Sequence, residues 1–202
     1  MIRRAIAVLS AAVALSGCAL LSNPDPIQLY RFGSQVEQTP RPAAGELLPI
    51  VVRPVDFPEA VRGDRILGVT GYEAAYIGGA RWVSPARELY TTSLEAAFAT
   101  QATRVRPISQ REASTAQRTL DVVIQSFEVQ YDAPGAAPQI VVAARARVLR
   151  YPERTVVGET SFTVRQPAAA NRVTDIVAAF DIAVRDLNTQ LVGWTEQTAA
   201  GE

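Results

Sequence analysis

The 202-residue chain contains no histidine, and every one of its 20 basic residues is arginine, so lysine is missing as well. Without histidine there is neither a Ser-His-Asp triad nor a histidine ligand for zinc. Without lysine there is no phosphate-binding lysine of a P-loop, no Schiff-base catalyst and no Ser-Lys dyad. Cysteine occurs once, as Cys18, so no intramolecular disulfide can brace the fold. Paired carboxylates remain as a route to catalysis. Glu37, Glu46, Asp56, Glu59 and Asp64 fall among prolines, glycines and arginines in predicted loops, where solvated charge is the ordinary role. The chain reads as a non-enzyme with no catalytic residue, no metal ligand and no cofactor.

Long apolar runs are also scarce. The run from Ala5 to Leu15 is roughly half of the ~20 residues that cross a bilayer, and no later segment has the length or continuity of a span. Arg3 and Arg4, an apolar middle and a small-residue exit describe a secretory signal peptide over residues 1–17, outside the folded domain. Leu15-Ser16-Gly17-Cys18 resembles the bacterial lipobox, in which the cysteine thiol takes a diacylglyceryl group, the signal is cut before it and the new amine is acylated. At ~0.8 kcal/mol per buried methylene, several acyl chains on Cys18 amount to nearly permanent attachment. The alternative is an ordinary secreted protein with a stray cysteine beside its cleavage site. Loss of Arg3 and Arg4 leaves the mature chain mildly acidic, and without a basic face a nucleic-acid partner is not expected.

After Cys18, residues 19–26 with Pro24 and Pro26 form a tether reaching about 25 Å at most, at ~3.1 Å per residue. A single domain is expected over 27–198, with a short tail at 199–202. Residues 27–32 read as a short strand. Residues 47–57 read as a second, which Pro49 and Pro54 place at an edge or interrupt. Residues 65–83 read as two strands around a turn, kinked at Gly78-Gly79. Ser84-Pro85 predicts a helix start, with Ser84 as the cap, and the helix carries Tyr90, Leu94, Ala97, Phe98 and Gln101 on one face to about Thr103. Residues 104–109 predict a short strand and 119–131 a central one. Residues 139–150 and 155–165 flank the turn Tyr151-Pro152-Glu153-Arg154 as an antiparallel hairpin, with Val156, Gly158, Thr160, Phe162 and Val164 on the buried side. Val177, Phe180, Val184, Leu187, Leu191 and Trp194 form the stripe of a last helix about twenty-five residues long. The fold class is α/β, α+β-like: a mixed, largely antiparallel sheet of five to six strands packed by two long helices.

The lipobox, "IQLYRF", "LPIVVRPVDFP", "ARWVSP" with Trp82 and Pro85, "LYTTSLEAAF", "LDVVIQSFEV", "SFTVRQP" and the long final helix resemble the ABC-type transport auxiliary lipoproteins over nearly the whole mature chain. That family includes the outer-membrane lipoprotein of the paraquat-inducible (Pqi) system. The resemblance implies a fold similar to anticodon-binding-like domains and the N-terminal domain of TolB. It also implies work with an ABC transporter permease and ATPase and a mammalian-cell-entry (MCE) domain protein in lipid transport. Ala19 after the cysteine favours the outer membrane by the enteric sorting rule, with the domain facing the periplasm. The leading expectation is a docking subunit anchored through a palmitate-bearing Cys18, with Tyr72, Tyr76 and Ile77 of the hairpin as the partner surface. Association with copies of itself is left open. The other readings are a module that binds lipid between helix and sheet, an outer-membrane assembly factor, and a carboxylate-based cell-wall hydrolase.

Overall fold

A long strand organises the molecule. The computed structural model describes residues 26–33 and 45–201, so Cys18, the signal segment and most of the tether lie outside the described residues. The described elements are β1 (Gln28–Tyr30), β2 (Leu48–Val52), β3 (Arg65–Thr70), β4 (Glu73–Trp82), α1 (Ala86–Gln101), β5 (Val105–Ile108), a 3-10 turn (Gln110–Thr115), β6 (Arg118–Tyr131), β7 (Gln139–Arg150), β8 (Val156–Pro167) and α2 (Val173–Ala200). Half of the residues of β6 are β-branched or aromatic, and it pairs antiparallel with β7 along one edge. Its other edge is shared. Ile50–Val52 of β2 run parallel to Arg118–Leu120 at one end, Gly68–Thr70 of β3 run parallel to Val129–Tyr131 at the other, and an Asp56–Val123 bridge lies between.

From this spine β8 extends past β7, β4 and β1 extend past β3, and β5 extends past β2, giving one mixed sheet of eight strands. The fold class is as read from sequence, and most paired residues are antiparallel. The strand number exceeds five to six because the two shortest strands, β1 and β5 with three and four residues, are each hydrogen-bonded into the sheet, on β4 and on β2. β2 is internal, between β5 and β6. Its prolines shorten its ladders and do not move it to an edge.

Bulges set which side chains face inward. An extra residue at Gln125, opposite the Ala143–Ala144 step, lets Leu120, Val122 and Ile124 share a face with Phe127 and Val129 although simple alternation would separate them. A second shift skips Val157, so Val156, expected on the buried side, is 54% exposed, while Gly158, Thr160, Phe162 and Val164 keep that side.

Both helices cover one face of the sheet. α2 presents Ile176, Phe180, Ala183, Val184, Leu187 and Leu191 to β7 and β8, as its stripe predicts, and continues through Ala200, into the stretch expected to be a tail. α1 packs beside it through Tyr90, Leu94, Ala97 and Phe98. At the centre, Trp82 meets Phe180 edge-on at 5.2 Å and Phe32 at 4.9 Å, and Phe127 lies 4.9 Å from Phe180. Each such pair adds about 0.5–1.5 kcal/mol beyond the area it buries.

Ser84 does not cap α1. Pro85 occupies the cap position without a side-chain hydrogen bond, and the first free N–H groups find backbone carbonyls instead: Ala86 donates to Gly63 at 2.8 Å and Arg87 to Arg62 at 3.3 Å. The loop before β3 therefore takes the place of a capping side chain.

On the opposite face Val51, Ile108 and Ala116 form a small second cluster beside the 3-10 turn. That turn starts where the Ser109 hydroxyl and N–H both donate to the Glu112 carboxylate, at 2.9 and 3.2 Å, and these two hydrogen bonds hold the Glu112 carboxyl below its usual range.

Candidate functional site

The β3–β4 hairpin projects from the end of the sheet. Thr70 pairs with Glu73, so Gly71 and Tyr72 alone make the turn, and the positive φ of Gly71 (58°) suits the first position of such a tight connection. Tyr72 stands at the tip and is 108% exposed, with no neighbouring side chain to shield its ring. Of the three hairpin residues expected to form a surface, it alone is fully free.

Tyr76 is held in place. Its hydroxyl donates to the Ala60 carbonyl at 3.1 Å, and the Arg65 guanidinium lies 3.7 Å from its ring centroid, a cation–π contact. Ile77 is half-buried and packs against the main core. The change of surroundings between these neighbours follows from the strand pairing. Leu67 faces Tyr76, yet the next pair is Arg65 with Arg81, so β4 bulges outward around Gly78 and Gly79, the latter at φ 68°.

Tyr76 and Ile77 meet in a depression of about 200 Å³ completed by Gly68, Glu73 and Tyr131. Tyr72 lies outside its lining. Gly68 matters because a Cβ there would come within 3.3 Å of the Tyr131 ring, so the glycine lets the aromatic side chain lie across β3. Partial burial pushes the Tyr131 phenol above its usual range, keeping it a neutral donor. Tyr131 and Arg65 belong to this surface although sequence reasoning left them out; each sits at the end of a strand, and only the β3–β6 and β3–β4 registers bring them beside the hairpin.

The surface offers aromatic faces, one carboxylate and one arginine, a chemistry of contact rather than of bond breaking. Among the described residues no group of three or more acidic or cysteine side chains could hold a metal ion, and no helix is long and apolar enough to cross a membrane. The space between helices and sheet, where the lipid-binding alternative needs room, is filled by Trp82, Phe98, Phe127 and Phe180, each at most 2% exposed. A further apolar strip lies at the margin of the same half of the sheet. There Ile27, Leu29 and Val83 are 52%, 61% and 50% exposed on and beside β1, the strand that follows the tether.

A family model described as "ABC-type transport auxiliary lipoprotein component" matches residues 30–192. A crystal structure of a Xanthomonas campestris protein of the DUF330 family model superposes with a TM-score of 0.72 at 23% identity, covering 86% of this chain and 98% of that one. A hypothetical protein of Chlamydia trachomatis superposes with a TM-score of 0.53 at 11% identity, covering 78% of this chain and all (100%) of that one. At such identities the likeness is one of fold. No protein of curated function matches the chain.

Proposed function

The chain belongs to the family of ABC-type transport auxiliary lipoprotein components, and on that premise we propose that it is a non-catalytic docking subunit of an ABC/MCE-type lipid transport system, fixed to the outer membrane through acylated Cys18. The observation that carries the docking role is Tyr72, a fully exposed aromatic ring at the tip of a two-residue turn, beside the Tyr76–Ile77 depression. Large exposed aromatic groups on a rigid support lose little entropy on contact and anchor interfaces. The exposed strip of Ile27, Leu29 and Val83 lies on and beside the strand that leaves the tether, which fits a body held close to a lipid surface.

In this reading the acyl chains set position, the hairpin sets partner choice and the sheet with its two helices keeps the hairpin rigid. The partner is an MCE-domain protein, and the ABC permease and ATPase act from the other membrane. A photo-crosslinking residue at position 72, in the full-length chain expressed in its own bacterium, is expected to trap an MCE-domain protein, while the same residue at exposed Gln125 traps none. Palmitate label is expected in the wild type and not in Cys18→Ser. Crosslinks from position 125 but not from 72 would remove the hairpin from the reading, and an unlabelled wild type would remove the anchor.

A further inference from the structure

The face of the sheet away from the helices carries a second site. Val51, Thr119 and Leu149 lie side by side on β2, β6 and β7, paired across the strands, and form the floor of a cleft of about 370 Å³. Val51 and Leu149 are 3% and 8% exposed, so the floor is shielded and largely apolar, with the Thr119 hydroxyl as its polar point. Tyr151, from the β7–β8 turn, makes an aromatic wall.

The rim is cationic. Arg53 reaches Asp121 at 3.4 Å, but Arg147 approaches the other oxygen of the same carboxylate at 3.8 Å, so one negative charge is divided between two guanidinium groups. Arg154, on the opposite rim, has no acidic partner among the described residues. Its backbone is left-handed at φ 59°, a region that disfavours any residue with a Cβ, and its N–H is tied to the Arg150 carbonyl at 2.8 Å. The turn thus holds an uncompensated cation over an apolar floor, in a conformation glycine would adopt without strain.

We propose that this cleft binds the terminal α-carboxylate of a partner protein whose last residue is apolar or aromatic. Arg53 and Arg154 flank the carboxylate, for which the planar guanidinium is the best-matched side chain, and the last side chain rests on Val51 and Leu149 against Tyr151. The size of the cleft decides against a whole lipid. About 370 Å³ takes a carboxylate and one or two side chains, and charged rims interrupt the apolar floor where acyl chains would have to continue. Where the terminus belongs to a transporter component, the site deepens the docking reading and rests on it for the identity of the partner; the chemistry of the cleft does not.

The test is therefore made with a small probe, so that it reports on the cleft whether or not a transporter component is ever captured. N-acetyl-alanyl-para-fluorophenylalanine, as free acid and as carboxamide, is titrated against the full-length chain in detergent micelles by fluorine NMR. The acid is expected to bind about tenfold more tightly than the amide, and Arg154→Gly, which preserves the left-handed turn, to abolish most of that difference. Arg53→Gln is expected to act in the same direction, and Arg165→Gln, elsewhere on the same face, to leave it unchanged. Equal binding of acid and amide, or an Arg154→Gly variant that still discriminates, overturns the proposal. Displacement by short-chain phosphatidic acid at lower concentration than by the unlabelled dipeptide acid also overturns it, and assigns the cleft to phosphate head groups.

Discussion

The carboxylate of Glu196, near the end of α2, accepts the backbone N–H of Arg104 at 2.5 Å. The same oxygen accepts the N–H of Thr103, so one side chain of the last helix serves two donors in the segment where α1 gives way to β5. Thr103 and Arg104 have no helical partner of their own, and a charged acceptor holds such donors more firmly than a neutral one. Glu196→Ala is expected to cost about 1–3 kcal/mol, and Glu196→Gln less, because an amide oxygen still accepts. Denaturant midpoints followed by tryptophan fluorescence check both; a neutral alanine variant contradicts this role.

Gly158 on β8 faces Thr198 on α2 with no room for a side chain. A Cβ there would lie 2.6 Å from Thr198 Cγ2 and 3.6 Å from the Trp194 ring. Gly158→Ala is expected to destabilise by about 1–3 kcal/mol through overpacking. Adding Thr198→Ser, which removes the offending methyl, is expected to recover most of that loss. A double-mutant cycle with no coupling would mean the helix simply shifts outward.

Tyr90 is completely buried, and its hydroxyl has no hydrogen-bond partner among the described residues. Its ring packs edge-on to Phe57 at 5.6 Å, so the aromatic body is useful and the oxygen is a burden. Tyr90→Phe is expected to be neutral or stabilising by up to about 1 kcal/mol at neutral pH. Burial pushes the Tyr90 phenol far above its usual range, so above about pH 10 the unfolded chain releases a proton that the folded chain retains. Stability from this group is whole below that range and falls as pH rises through it. The advantage of the phenylalanine variant should therefore widen in alkali, which thermal melts at several pH values measure.

Local pattern and long-range register were unequally legible. The α2 stripe and the β7–β8 hairpin stand out because each repeats its own period over many residues, and the domain needs their burial. The bulges at Gln125 and Val157 left no mark, since one unpaired residue changes register without changing composition. Ser84 looked like a cap because the competing acceptors, the carbonyls of Arg62 and Gly63, arrive from a loop whose path no local rule describes. At the hairpin, Tyr72 and Tyr76 are chemically alike in sequence, and only the pairing of Leu67 with Tyr76 and the turn at Gly71 separate an anchored ring from a free one. The cleft between Arg53 and Arg154 was invisible because it needs β2 and the β7–β8 turn to meet across β6.

The divided edge of β6 also sets an order of events. β1 to β5 and α1 are all synthesised before it, yet the parallel ladders from β2 and β3 close only once residues 118–131 exist. Such non-local pairing is slow, whereas the long β6–β7–β8 meander is local and forms early. The β3–β4 hairpin can close as soon as it is made, but the sheet that joins it to β2 must wait for a strand synthesised after both.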